Sequence, residues 1–125
     1  MILSNQKLGQ HVLRLGLAAV FLWFGFSQLM DSLQWVSIVP TWAVALVHLP
    51  PAMIVMANGL LEVILGSLIA LGFFVGPAAA ILALHLFVIA LDIGFSATGI
   101  RDFGLVFATA ALSIMSFEKS VEKID

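Results

Sequence analysis

The sequence predicts an all-α fold, an integral membrane four-helix bundle with an interfacial segment between the first and second spans. Three observations carry that expectation. The 125-residue chain is 62% hydrophobic and 10% charged, against roughly 25% charged for a soluble domain. Between positions 15 and 117 it holds only five charged residues: Asp31, Glu62, Asp92, Arg101 and Asp102. A membrane-spanning helix needs about 20 predominantly apolar residues, so the chain holds four spans and little else, and no separate soluble catalytic domain.

The first span is expected over about 10–30. It is long, carries Trp23 and several Phe, and ends without a small-residue cleavage site, so it reads as a retained span and not a removed leader. The segment 31–50 follows, with Trp35, Pro40, Trp42 and His48. Trp suits the lipid–water interface, and one or two short helices broken near Pro40 are expected there. The second span is expected over 51–74 and the third over 76–96, joined by a tight turn at Val75-Gly76-Pro77. The fourth is expected over 101–117, starting at the pair Arg101-Asp102. All of this makes one transmembrane domain, 1–125.

Lys7 and Arg14 lie near the start of the chain and Lys119 and Lys123 near its end. Four spans place both ends on one side, so the positive-inside rule predicts cytoplasmic N- and C-termini in a multi-pass protein of the plasma membrane. Arg101 counts against that orientation. With no cysteine there is no disulfide, thiol relay, thiolate-held metal or iron–sulfur cluster. The net charge of −2 argues for no partner, and nothing basic suggests nucleic acid.

Glu62 is the first functional suspect. Residues 32–61 before it and 63–91 after it carry no formal charge. A charge at mid-membrane depth costs several kcal/mol and is normally turned inward and paired. Asn58, Gly59, Glu62, Gly66 and Ala70 share one helical face, and small residues there allow close helix approach. His85 and Asp92 share a face of the third span, about 10 Å apart along the axis. Arg14, Ala18, Phe21, Gly25 and Gln28 share a stripe on the first span, and Asp102, Thr109, Ser113 and Ser116 one on the fourth. Sorted by depth, these groups predict a core cluster Arg14–Glu62–His85 and an outer cluster Asp92–Arg101–Asp102, the latter joined by Asp31 and Gln28.

Each cluster has two readings. Arg14 and Glu62 form a structural ion pair that fixes helix register, or Glu62 and His85 form a proton-exchanging pair beside a quinone or other lipid-soluble substrate. His85 alone is a satisfied core histidine or a ligand. Arg101-Asp102 caps the fourth helix, an arrangement that suits Asp102 better than Arg101. His11, His48 and His85 lack metal-ligand spacing, so no metal site is expected, and only His85 qualifies as an axial haem ligand.

The first span, LRLGLAAVFLWFGFSQLMD from Leu13, resembles the opening helix of the DoxX/DoxD-like membrane proteins: an Arg at the start, then an aromatic-Gly pair before a polar residue. GLLEVILGSLIALGF from Gly59 is similar to that family's second helix, and RDFGLVFATAALSI from Arg101 to its Arg-Asp entry into the last helix. The resemblance implies a four-helix membrane protein with Arg14, Glu62, Arg101 and Asp102 at the family's polar positions. Gln28 stands where many relatives carry a Lys. Named members include a small subunit of a thiosulfate:quinone oxidoreductase, and others are associated with membrane redox and oxidative-stress complexes.

The leading expectation is therefore an accessory subunit of a quinone-linked membrane redox complex. It would hold no cofactor of its own, offer a possible quinone site, and have the lipid bilayer and other membrane or membrane-associated subunits as partners. The alternatives are a purely structural or assembly subunit, and a small-solute transporter acting as an oligomer.

Overall fold

A computed structural model describes residues 4–124, with side chains through Glu118. In chain order it forms α1 (Asn5–Met30), a 3-10 helix η1 (Ser32–Ile38), the short α2 (Thr41–Val47), α3 (Pro51–Leu71), α4 (Val75–Ile93) and α5 (Ala97–Ile124), with no strand among the described residues. Four stretches are long and apolar enough to cross a membrane: Asn5–Met30, Pro51–Leu71, Val75–Ile93 and Ala97–Glu118.

Local chemistry moves the predicted ends. α1 starts a turn and a half earlier than expected because the Ser4 hydroxyl accepts the Lys7 N–H at 3.2 Å, satisfying a helix-end donor. α3 stops at Leu71, not at 74. Gly72 takes the left-handed conformation (φ +82°) that a side chain resists, and its N–H and that of Phe73 return to the carbonyls of Leu68 and Ile69. The turn is therefore Gly72–Phe74 and not Val75-Gly76-Pro77. Pro77 lies in the first turn of α4, where its missing N–H costs nothing. α4 ends at Ile93, with Gly94 (φ +77°) after it. α5 begins at Ala97, not at Arg101, because Ser96 supplies the cap: its hydroxyl accepts the Gly99 N–H at 3.0 Å. Arg101 and Asp102 thus lie inside the helix, and the expected capping role passes to Ser96.

α1 packs along α3, and α4 along α5. The two pairs meet through lesser α3–α4 and α1–α5 contacts, and η1 lies against α3 and α1. The core runs through Leu17, Phe21, Leu65, Ile69, Leu82 and Leu112, with Ala18, Ala78 and Ala79 letting the helices close up. Ser113 donates to the Gly76 carbonyl at 2.8 Å and ties α5 to α4. The Thr109 and Ser116 hydroxyls return to carbonyls of α5 itself. Leu15, Trp23, Phe26, Leu60, Ile64, Phe107 and Ile114 face outward, the pattern of a bundle whose solvent is hydrocarbon.

Candidate functional site

Glu62 occupies the middle of α3 and is 4% exposed. Its carboxylate is held by amides. Asn58, one turn earlier on the same face, donates from Nδ2 to Oε1 at 3.1 Å. Gln28 of α1 donates from Nε2 to Oε2 at 3.4 Å, and the Asn58 amide also donates to Gln28 Oε1 at 2.6 Å. From α4, His85 brings Nε2 to 3.9 Å from Glu62 Oε1. That is too long for a hydrogen bond, and the buried Nε2 has no hydrogen-bond partner among the described residues. Three helices thus converge on one carboxylate.

The amides reach it because α1 and α3 nearly touch. Gly25 and Gly59 are both buried at the crossing. Gln28 follows Gly25 by one turn, while Asn58 and Glu62 flank Gly59, so short polar side chains span the gap.

Gln28, Asn58 and His85 also line a cavity of about 290 Å³, together with Trp35, Trp42 and Asp92. The Trp segment therefore forms one wall of the cavity as well as part of the molecular surface. Two indoles hold it down: Trp35 Nε1 donates to the Ser27 hydroxyl at 3.1 Å, and Trp42 Nε1 to Asp92 Oδ1 at 3.3 Å. The imidazole of His85 stands between this cavity and Glu62, a position from which a ring with two nitrogens can exchange a proton with either side.

The predicted clusters assemble only in part. Glu62 and His85 come together. Arg14 does not join them: its Nη1 donates to the carbonyls of Ile69 (2.9 Å) and Ala70 (2.7 Å), and Nη2 lies 3.3 Å from His11 Nδ1. The last carbonyls of a helix lack partners within it, and those of α3 lie about two turns, or roughly 11 Å, beyond Glu62. The guanidinium binds where acceptors are open. The outer cluster does not form either. Asp92 binds Trp42, Arg101 is exposed, and no ion pair links Arg101 to an acid among the described residues. Asp102 is half-buried. Gln28, placed with the outer group by depth alone, belongs to the Glu62 network.

No group of three or more His, Cys, Asp or Glu able to hold a metal occurs among the described residues.

The DoxX family model matches residues 9–97. The chain belongs to the DoxX family. No curated protein and no solved structure matches it. The DoxX match and the four apolar helices make this a membrane protein. The matched stretch contains Arg14, Gln28, Asn58, Glu62, His85 and Asp92, whereas Arg101 and Asp102 lie beyond it. For this DoxX protein the polar network of α1, α3 and α4 therefore lies inside the family-defining region, and the start of α5 lies outside it.

Sequence alone gives three further participants no definite role. Indoles favour the interface, which leaves open whether the Trp35–Trp42 segment covers a site or lies on lipid. Nothing in their spacing tells that Trp42, near the start of α2, reaches Asp92 of α4. Asn58 was noted only as a face-mate of Glu62, although its position four residues earlier is the spacing at which a helical amide reaches a carboxylate.

Proposed function

We propose that this DoxX protein is a small accessory subunit of a quinone-linked membrane redox complex, holds no cofactor of its own, and receives the quinone head group in the cavity beside His85. The observation that carries this reading is a cavity with apolar and indole walls and a polar floor, behind which a buried carboxylate waits. A volume of about 290 Å³ is at the low end of small-molecule pockets, about 300–1,000 Å³. It suits a single ring whose apolar tail stays in lipid. When bound, a quinone would supply the two-electron redox chemistry, with the electrons coming from a cofactor-bearing partner chain. The chain's own residues would bind and move protons. His85 would bond a ring oxygen on the cavity side and give it a proton as the quinone is reduced, drawing a replacement proton from Glu62. Asn58 and Gln28 would hold the carboxylate in place, and Trp35 and Trp42 would exclude water.

On the positive-inside reading both termini would lie in the cytoplasm of a plasma-membrane protein, and the cavity would open toward the outer half of the bilayer. The amide network also links α1 to α3, which favours a purely structural subunit as the competing reading. One experiment separates them: turnover of the intact complex carrying Glu62→Gln. Loss of quinone-coupled turnover at normal assembly supports the site, and unchanged turnover at full assembly refutes it. Gentle extraction followed by native mass spectrometry should meanwhile show cofactor-bearing partner chains together with this one.

A further inference from the structure

At the opposite end of the bundle lies a second cavity, of about 580 Å³, between the N-terminal half of α1, the turn from α3 to α4, and α5 near Phe117. The redox reading leaves it unused. Among the described residues, His11 and Arg14 are the only titratable ones lining it, and Phe74, Leu112 and Phe117 form its apolar walls.

Arg14 is only partly satisfied there. A guanidinium has five N–H groups and no acceptor. Two reach the carbonyls of Ile69 and Ala70, and a third reaches His11 Nδ1. The remaining two have no acceptor among the described residues. Because the guanidinium can only donate, His11 Nδ1 must accept, which puts the ring proton on Nε2 and makes His11 a further donor on the cavity wall. No carboxylate lies within 4 Å of Arg14 among the described residues. Carbonyl dipoles anchor this permanent charge, but no counter-charge among the described residues neutralises it, and a half-buried cation against apolar walls gains from one. Lys7 is four residues before His11 and seven before Arg14, on the same helical face. It is exposed and carries the basic stripe past the rim. The one described acid near this end, Glu118, is exposed and forms no ion pair among the described residues.

We propose that this second cavity binds a phosphate group, with Arg14 and His11 as its donors. The planar fork of a guanidinium matches phosphate oxygens, and the site lies at the end of the spans, at lipid-headgroup depth. The phosphate can belong to an anionic phospholipid, its acyl chains running along Phe74 and Phe117, or be free. The site shares no residue with the Glu62 cavity and does not rest on the redox reading.

The test uses the full chain, reconstituted in vesicles of equal parts phosphatidylglycerol and a galactosyl diacylglycerol that lacks phosphate, then extracted for native mass spectrometry. Retention of one phosphatidylglycerol, enriched about tenfold or more over the galactolipid as expected for at least one charge-assisted hydrogen bond, supports the site. The enrichment should fall to the bulk ratio in Arg14→Gln and in His11→Gln. His11→Gln leaves both carbonyl bonds of Arg14 intact, so it serves if Arg14→Gln fails to fold. In a second arm, inorganic phosphate is titrated into lipid-stripped protein while the His11 ring resonances are followed. Saturable shifts without lipid enrichment identify free phosphate as the source. Equal retention of both lipids together with silent His11 resonances would overturn the proposal.

Discussion

Gly25 and Gly59 face each other where α1 crosses α3: a Cβ on Gly25 would stand 2.9 Å from the Gly59 carbonyl oxygen, and one on Gly59 would stand 2.8 Å from the Gly25 carbonyl oxygen. Neither distance is tolerable, and both obstacles are backbone, which cannot swing away. The crossing therefore depends on two absent side chains, and the network around Glu62 depends on the crossing.

Adding one methyl group at that crossing should force the helices apart. Gly59→Ala is expected to cost about 1–3 kcal/mol, the usual penalty of overpacking. Gly66→Ala, on the same face one turn past Glu62, is the control. Its added Cβ would sit 3.4 Å from Leu22 and Phe21, an ordinary contact, and the better helix propensity of Ala compensates. The midpoint of heat-induced loss of the monodisperse peak in mild detergent measures both. Equal midpoints for the two variants would show that the close approach contributes nothing.

Removing amides from Glu62 should follow the geometry. Asn58 bonds both Gln28 and Glu62, at 2.6 and 3.1 Å, whereas Gln28 reaches Glu62 at 3.4 Å. Asn58→Ala leaves a buried carboxylate and a buried amide short of partners at once, a loss of about 1–3 kcal/mol for each unsatisfied group. Gln28→Ala also removes the 2.6 Å bond, but takes only the longer 3.4 Å bond from the carboxylate and leaves the 3.1 Å one, so it should cost less. The order of the two melting midpoints decides the point, and a larger loss for Gln28→Ala would contradict it.

How far these relations could be read from sequence depends on their range. The four apolar helices, the buried setting of Glu62 and its approach to His85 all follow from periodicity and depth, because a regular helix fixes both. The partner of Arg14 does not. Whether a long side chain reaches toward the bundle centre or back to the end of α3 depends on which acceptors are open, and that depends on Gly72 ending the helix at Leu71. The wall formed by Trp35 and Trp42 was hidden for a similar reason: the path of 31–50 is set by contacts with α3 and by the Trp42–Asp92 bond, not by any local pattern. Gln28 was misassigned because depth alone ignores rotation about the helix, although its place one turn after Gly25 points at α3.

The indoles offer a direct probe of the Glu62 cavity. Trp35 and Trp42 line it, whereas Trp23 does not and is 64% exposed. A short-chain quinone should quench emission saturably in the native protein. In Trp35→Phe/Trp42→Phe, where only Trp23 emits, the quenching should become weak and linear with concentration. Saturable quenching that survives in that variant would place the quinone elsewhere.

Arg14 and Glu62 should behave as independent sites. Arg14→Leu removes a charged donor from two carbonyls at the end of α3, a loss of about 1.5–3 kcal/mol per hydrogen bond at most, and should raise amide exchange in the last turn of α3 and in Gly72. Glu62→Gln acts about two turns away, within a network that contains neither Arg14 nor its acceptors. Effects at separated sites with no shared partners add to within about 0.3–0.5 kcal/mol. The double variant should therefore lose the sum of the two single losses, measured by denaturant titration in one detergent. A coupling well beyond that margin would mean that the two charges sense each other across the membrane interior, as an ion pair would require. Additivity would leave Arg14 as the anchor of the α3 terminus, with Glu62 held by amides alone.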